Sequence, residues 1–415
     1  MSGAGGGTSA RVAVAAITAL AAGGCGGRST LATEDGGAPP NDAGPGAPAA
    51  TCSAWSVAGP GVTISAPTSA GSMSYFTSVV PSGDGVIATW STLDDEPSST
   101  WSTRPLWFDA TPRAAIRTHL TFPTAGGVYV NVMSLAVSGV AFAGLVDDPL
   151  NGCRFVPLDG DGDDLGASVV VAPPGTACSD LAAVAGGFSF LSTDGSGDGR
   201  WTLSTVAADG SPRASLLLAT ASPSVGGRLV LRDDSFLLGT FEQTDAGALA
   251  TSLQHLAPDG SPLASPFLLT DSSASLVSMA ETHGGALTAW LGDASSIFVL
   301  PVDGDGRATS TPSRLPRPGA GPLYGFTLAP APNGDALLAF FELVESTSLY
   351  DLFVVALAPD GTPRGPVTPL GTFADLGVVR VVVEAPAGLR ALLVFSGGLG
   401  DTPDGVQALP LGCLP

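Results

Sequence analysis

The sequence predicts an all-β fold, a seven-bladed β-propeller of four-stranded antiparallel blades closed by an N-terminal strand. Three observations carry that expectation. The first is a phrase that returns seven times, about every 50 residues, in which a turn of small residues precedes four or five apolar ones. Its copies are Val86–Trp90, Val140–Gly144, Phe188–Leu191, Phe236–Gly239, Ala286–Trp290, Ala336–Phe340 and Ala391–Phe395. The second is a turn in step with it, at Asp109, Asp159-Gly160, Asp209-Gly210, Asp259-Gly260, Asp303-Gly304 and Asp360-Gly361, always between two apolar runs. The third is composition: 56 Gly and 35 Pro in 415 residues, with short apolar runs and few aromatics, suit hairpins rather than helices.

One repeat reads as four strands, A to D. In the fifth, Ser275–Glu281 is strand A, Ala286–Trp290 strand B, Ile297–Val302 strand C and Ala308–Leu315 strand D. Gly284-Gly285 makes the A–B hairpin and Asp303-Gly304-Asp305-Gly306 the C–D hairpin, where Gly supplies the positive φ of tight turns. The last repeat has strands A (Gly377–Glu384), B (Leu389–Phe395) and C (Val406–Leu411), and then the chain stops. An open ring would expose a sheet edge, so Ala54–Val57 or Val62–Ser65 is expected to supply the missing strand D. Trp90, Trp290, Phe340 and Phe395 end strand B in four copies, and are read as filling between neighbouring blades rather than stacking on a ligand.

Setting Cys25 aside leaves Cys52, Cys153, Cys178 and Cys413, an even number. The ring prefers Cys52–Cys413, across the closing strand pair, and Cys153–Cys178. Cys153 opens strand C of the second blade, and Cys178 is expected just past its strand D. Disulfides imply an oxidising compartment.

The N-terminus carries an address. Arg11 precedes an apolar run, Val12 to Ala22, which is shorter than the about 20 residues a bilayer core needs. Ala22-Gly23-Gly24-Cys25 follows and resembles the lipobox of bacterial lipoproteins, departing from it in having Ala22 where Leu is commonest. That resemblance implies a signal peptide over residues 1–24, a lipid on Cys25 and anchoring to a bacterial membrane, at the outer membrane or cell surface. Without the lipid the chain would be secreted. Residues 25–51 are rich in Gly, Pro and Ala and read as a disordered tether, leaving 52–415 for the propeller. With the repeats, the chain resembles bacterial propeller lipoproteins, a likeness of architecture only.

A net charge of −21, with Arg as the only basic residue besides three histidines, disfavours nucleic acid and anionic lipid headgroups as partners. A monomer is expected. His119, His255 and His283 lie in different repeats without metal-ligand spacing, and no C-x-x-C exists. Calcium is the one candidate cofactor. Asp194, Ser196 and Asp198 match an alternating-oxygen calcium loop that lacks its closing acid, and Asp159–Asp164 is a weaker match. The B–C connections all carry acids, among them Asp94, Asp95, Glu96, Asp147, Asp148, Glu242, Asp245, Asp293, Glu342, Glu345, Asp401 and Asp404. They form an expected acidic rim that keeps the chain soluble, or collects a cationic ligand or a basic envelope protein. No catalytic set emerges. The leading expectation is a non-enzymatic, surface-anchored binding or scaffolding module. The alternative is an extracytoplasmic propeller hydrolase or lyase acting on a polymer, which the apolar A strands disfavour.

Overall fold

The computed structural model describes residues 52–65, 73–93, 98–123, 131–148, 150–193, 200–218, 224–232, 235–243, 249–270, 277–293, 296–319, 321–344, 347, 349–374, 376–384, 389–397 and 405–414. The signal, Cys25 and tether expectations lie outside them. Two short strands, β1 (Ala54–Val57) and β2 (Val62–Ser65), precede the first blade. Blade 1 comprises β3 (Met73–Ser82), β4 (Gly85–Leu93), β5 (Ser98–Trp107) and β6 (Arg117–Pro123). Blade 2 comprises β7 (Asn131–Ser138), β8 (Ala141–Asp148), β9 (Gly152–Leu158) and β10 (Val169–Ala172). Blade 3 runs through β11 (Ala177–Val184), β12 (Gly187–Thr193), β13 (Trp201–Ala207) and β14 (Pro212–Leu217). Blade 4 runs through β15 (Ser224–Arg232), β16 (Ser235–Gln243), β17 (Leu249–Leu256) and β18 (Phe267–Thr270). Blade 5 has β19 (Val277–Thr282), β20 (Gly285–Asp293), β21 (Ser296–Asp303) and β22 (Ser313–Arg314). Blade 6 has β23 (Leu323–Pro330), β24 (Ala336–Val344), β25 (Leu349–Leu357) and β26 (Thr368–Ala374). Blade 7 has β27 (Val379–Glu384), β28 (Arg390–Gly397) and β29 (Gly405–Leu414), with β1 and β2 both pairing along β29. The chain is a seven-bladed β-propeller.

Both N-terminal segments close the ring. Trp55 stands opposite Cys413, and Val62 opposite Ala408, so β1 and β2 share one long partner and blade 7 becomes five-stranded. Thr63 Oγ1 donates to Gln407 Oε1 at 2.8 Å, and Gln407, itself buried, donates to Gly397 O at 3.1 Å. The Cys52–Cys413 disulfide seals this join. The second disulfide, Cys153–Cys178, is also present, but Cys178 lies in β11, the inner strand of blade 3. Strand β10 ends at Ala172 and a turn from Pro173 to Thr176 carries the chain inward, so the bridge clasps two blades together.

Blades pack face to face, which buries both sides of a B strand. Every residue of β4 except Leu93 is buried, whereas all of β14 on the outside of blade 3 is exposed. This explains why the B phrase reads as an unbroken apolar run rather than an alternation. Its terminal aromatics fill the gaps between blades. Trp90 packs with Leu392 and Val394 of blade 7, Phe340 with Ile297 and Val299 of blade 5, and Phe395 with Leu352 and Val354 of blade 6.

The seven inner strands form a closed ring around the axis. Their central-facing edges carry backbone groups with no strand partner, and polar side chains reach across to meet them. Leu135 N–H donates to Ser78 Oγ at 3.2 Å, Leu181 N–H to Ser134 Oγ at 3.2 Å, Leu229 N–H to Asp180 Oδ2 at 2.9 Å and Leu328 N–H to Ser278 Oγ at 2.9 Å. The four acceptors occupy one register level, so in blades 1, 2, 3 and 5 a polar position on the inner strand latches its blade to the next.

Candidate functional site

The densest constellation of titratable groups among the described residues lies at the seam between blades 1 and 2. It is built by the C–D turn of blade 2, which tucks over the neighbouring blade. Asp159 makes that turn: its Oδ1 accepts from the N–H groups of Asp161 and Asp163, both at 2.9 Å. Gly162, at φ +78°, then lets the backbone approach Thr103, whose Oγ1 lies 3.1 Å from Gly162 O. The remaining carboxylates of the turn face basic side chains of blade 1. Asp161 meets Arg113 at 2.9 Å, Asp163 meets Arg117 at 2.5 Å, and Asp164 meets His119 Nδ1 at 2.7 Å. The acids of the weaker calcium match are thus engaged in holding two blades in register.

His119 completes a line of three. Its Nε2 is 2.7 Å from Thr103 Oγ1, and its ring lies against Trp101 at a centroid distance of 4.4 Å. Burial pushes the His119 pKa below its ordinary value, outweighing the attraction of Asp164 and Asp163. The ring is therefore neutral near pH 7. A carboxylate only accepts, so Nδ1 carries the proton and Nε2 accepts from the Thr103 hydroxyl. This is the order of hydroxyl, imidazole and carboxylate that nucleophilic hydrolases use. Accessibility decides against that chemistry. Thr103 is 0% exposed and the His119 side chain 2%, and Gly162 O competes for the same hydroxyl proton. The line orients a seam. His119 stood in the sequence without a partner, because its neighbours Thr103 and Asp164 come from another strand and another blade.

His255 makes a smaller arrangement between blades 4 and 5, with Nε2 2.9 Å from Ser235 Oγ, in a recess lined also by Val230, Leu237 and Asp303. Asp303 accepts from the N–H groups of Asp305 and Arg307 at 2.9 Å, a turn role like that of Asp159.

The expected acidic rim falls into two groups. Asp94, Asp95, Glu96, Asp245, Glu345, Asp401 and Asp404, with the calcium-loop residues Asp194, Ser196 and Asp198, lie outside the described residues. Asp147, Asp148, Glu242, Asp293 and Glu342 lie within strands, because B strands run further than their apolar phrases. Three of these have described side chains, and none is a free surface acid. Glu342 is buried and receives Arg317 Nε at 2.7 Å, which ties down the connection between blades 5 and 6. Asp148, also buried, accepts from Leu150 N–H and Asn151 N–H, both at 3.1 Å, and from Asn151 Nδ2 at 2.7 Å, so it makes the turn into β9. Asp147 is half-buried beside the Cys153–Cys178 bridge, and burial pushes its carboxyl up to about 6, with the Asp148 charge adding to the shift. Alternation of apolar and acidic residues gave no sign of these partners, since Arg317 is distant in sequence and the others depend on a turn.

No protein-family model matches the chain, and no curated protein sequence does. In structure it is similar to a protein of unknown function from Dyadobacter fermentans, with a TM-score of 0.52 at 13% identity, covering 87% of this chain and 99% of that one. It is also similar to the β-propeller domain of the Trilobed protease from Pyrococcus furiosus (TM-score 0.48, 9% identity, 81% and 95% covered). A neuraminidase-like protein from A/bat/Guatemala/164/2009 gives a TM-score of 0.47 at 12% identity, with 88% and 96% covered. At these identities the likeness extends to the fold alone.

Proposed function

We propose that the chain is a non-enzymatic propeller module, anchored by lipid at Cys25 to a bacterial cell envelope, that binds or scaffolds a partner there. The observation that carries this reading is the covalent closure at Cys52 and Cys413. Segment 25–51 enters the folded body at the residue that is bonded to its opposite end. Tension on an anchor would therefore load blade 7 through the disulfide rather than peel β1 and β2 from β29. Two disulfides also suit an extracytoplasmic compartment. The hydrolase reading draws on the Thr103–His119–Asp164 line, and the enclosed hydroxyl weighs against it.

Expressed in a bacterial host, the chain is expected to incorporate labelled palmitate and to sediment with membranes. Cys25→Ala is expected to release it in soluble form with both disulfides intact. Labelling that survives Cys25→Ala sinks the anchor.

A further inference from the structure

We propose that Asp147, Cys153 and Cys178 form a site for a soft divalent cation, zinc or cadmium, once the bridge between the two cysteines is reduced. A metal then replaces the disulfide as the clasp between blades 2 and 3. This goes beyond the anchored-module reading and is independent of it.

The geometry comes from three strands. Asp147 ends β8 and stands directly opposite Cys153 on β9, so their side chains share one face of blade 2. Cys178 enters from β11, the inner strand of the next blade. One carboxylate oxygen and the two sulfurs all lie within 4.8 Å of one another. A tetrahedral zinc site, with Zn–S near 2.3 Å and Zn–O near 2.1 Å, places its ligand atoms about 3.4–3.8 Å apart, so once reduced the two sulfurs must part by roughly 2 Å, a movement that rotation of the two cysteine side chains can supply. Cys178 N–H approaches Asp147 Oδ1 at 3.5 Å, which orients the carboxylate as an outer hydrogen bond does in metal sites.

The surroundings favour this set over its neighbours. Asp148, the nearest other acid in sequence, is already committed to Leu150 and Asn151 and leaves the metal to Asp147. Both cysteines are buried, at 0% and 3% exposure, while Asp147 is only half-buried and opens the site to a water as fourth ligand. Thiolates select zinc and cadmium over calcium and magnesium, so this is a different chemistry from the acidic loops. A phosphine and one water convert the disulfide to two thiols and a phosphine oxide, and the divalent cation then displaces both thiol protons.

The test uses the full folded chain. After reduction with a water-soluble phosphine under inert gas, cadmium is titrated and the sulfur-to-cadmium charge-transfer band followed. The Cys52–Cys413 pair can contribute thiolates of its own, so each variant is compared with reduced wild type. Asp147→Asn is expected to weaken the inner site about tenfold or more, and Cys153→Ser to remove it. Zinc is expected to raise the melting temperature of the reduced protein and leave the oxidised protein unchanged. Circular dichroism confirms that each variant is folded. If Cys153→Ser is not, Asp147→Asn decides, because it keeps both cysteines. A reduced wild type that takes up no stoichiometric cadmium overturns the proposal. So does Asp147→Asn binding as tightly as wild type, or zinc stabilising the oxidised protein equally.

Discussion

Gly210 turns the chain at φ +82°, and a Cβ there would stand 2.8 Å from Phe155 Cδ1 and 3.1 Å from Val169 Cγ2 of the preceding blade. Gly139 has a similar φ of +62°, with nothing within 4 Å of an added Cβ. The pair separates two effects that sequence alone runs together. A left-handed conformation costs an L-residue about 1 kcal/mol, and overpacking a buried contact adds about 1–3 kcal/mol. Gly139→Ala is therefore expected to lower stability by about 1 kcal/mol and Gly210→Ala by about 2–4 kcal/mol, read from urea midpoints. Equal losses would mean that the C–D turn does not press on its neighbour. Blade 1 shows the compromise from the other side. Ala110 takes the turn position with φ 68° and is fully buried among Leu392, Val394 and Ala408. Burying its methyl, worth about 0.8 kcal/mol, offsets most of the backbone strain. The turn aspartates share a simpler task. Asp209 and Asp259 each accept from the N–H and hydroxyl of the serine two residues on, which holds both carboxyls below the usual range. Asp-Gly in step with the apolar phrase was legible as a turn for that reason, and the same chemistry explains why it imitates a calcium loop.

At the scale of elements, the seam of blades 1 and 2 ties stability to pH. Burial depresses the pKa of His119 in the folded chain below its unfolded value, about 6.5. Below that pH the unfolded chain binds the proton more readily, so this contribution is complete above about 6.5 and lost as pH falls through and below it. Arg113, Arg117, Asp161, Asp163 and Asp164 face the same seam and set the local field. Asp147 works in the opposite sense, since a carboxyl held up near 6 favours the folded state as it protonates. The decisive quantity is therefore the difference between wild type and His119→Asn, measured as urea midpoints at pH 7.5 and 5.5. Wild type is expected to lose more stability on acidification than the variant. Parallel losses would remove His119 from the account. The seam also shows where reading a sequence stops. Blade count, strand order and most hairpins were legible because each rests on residues close in sequence, whose period and turn chemistry repeat. Thr103, His119 and Asp164 meet only after two hairpins fold and two blades dock, and no local pattern encodes that. The inner-strand latches were illegible for a related reason. Ser78, Ser134, Asp180 and Ser278 stand among other polar residues of their strands, and their partners are backbone groups about one repeat away, so nothing local singles them out.

For the whole molecule the question is what keeps a ring of seven similar blades from opening. Each blade touches only its neighbours, so stability is roughly a sum over blades and interfaces, and the weakest interface governs opening. Blade 7 is the place where the ring is assembled from both ends of the folded body, with β1 and β2 laid on β29. Strand pairing and the packing of buried Trp55, Leu409 and Leu411 hold it, and the Cys52–Cys413 bridge makes the join permanent. Its residues are 361 apart in sequence, against 25 for Cys153 and Cys178. In the chain-entropy account those loops contribute about 6 and about 3.5 kcal/mol, and measured bridges fall at or below such values. Replacing Cys52 and Cys413 by Ser is expected to lower stability more than replacing Cys153 and Cys178, by about 1–3 kcal/mol in denaturant unfolding. The two losses should also differ in place. Without the outer bridge, β1, β2 and β29 are expected to exchange their amide hydrogens faster while blades 2 to 5 keep their protection, because opening begins at the join. Without the inner bridge, the change should centre on β9 and β11. If both pairs of substitutions speed exchange uniformly around the ring, the molecule opens cooperatively, and closure at blade 7 is not its limiting step.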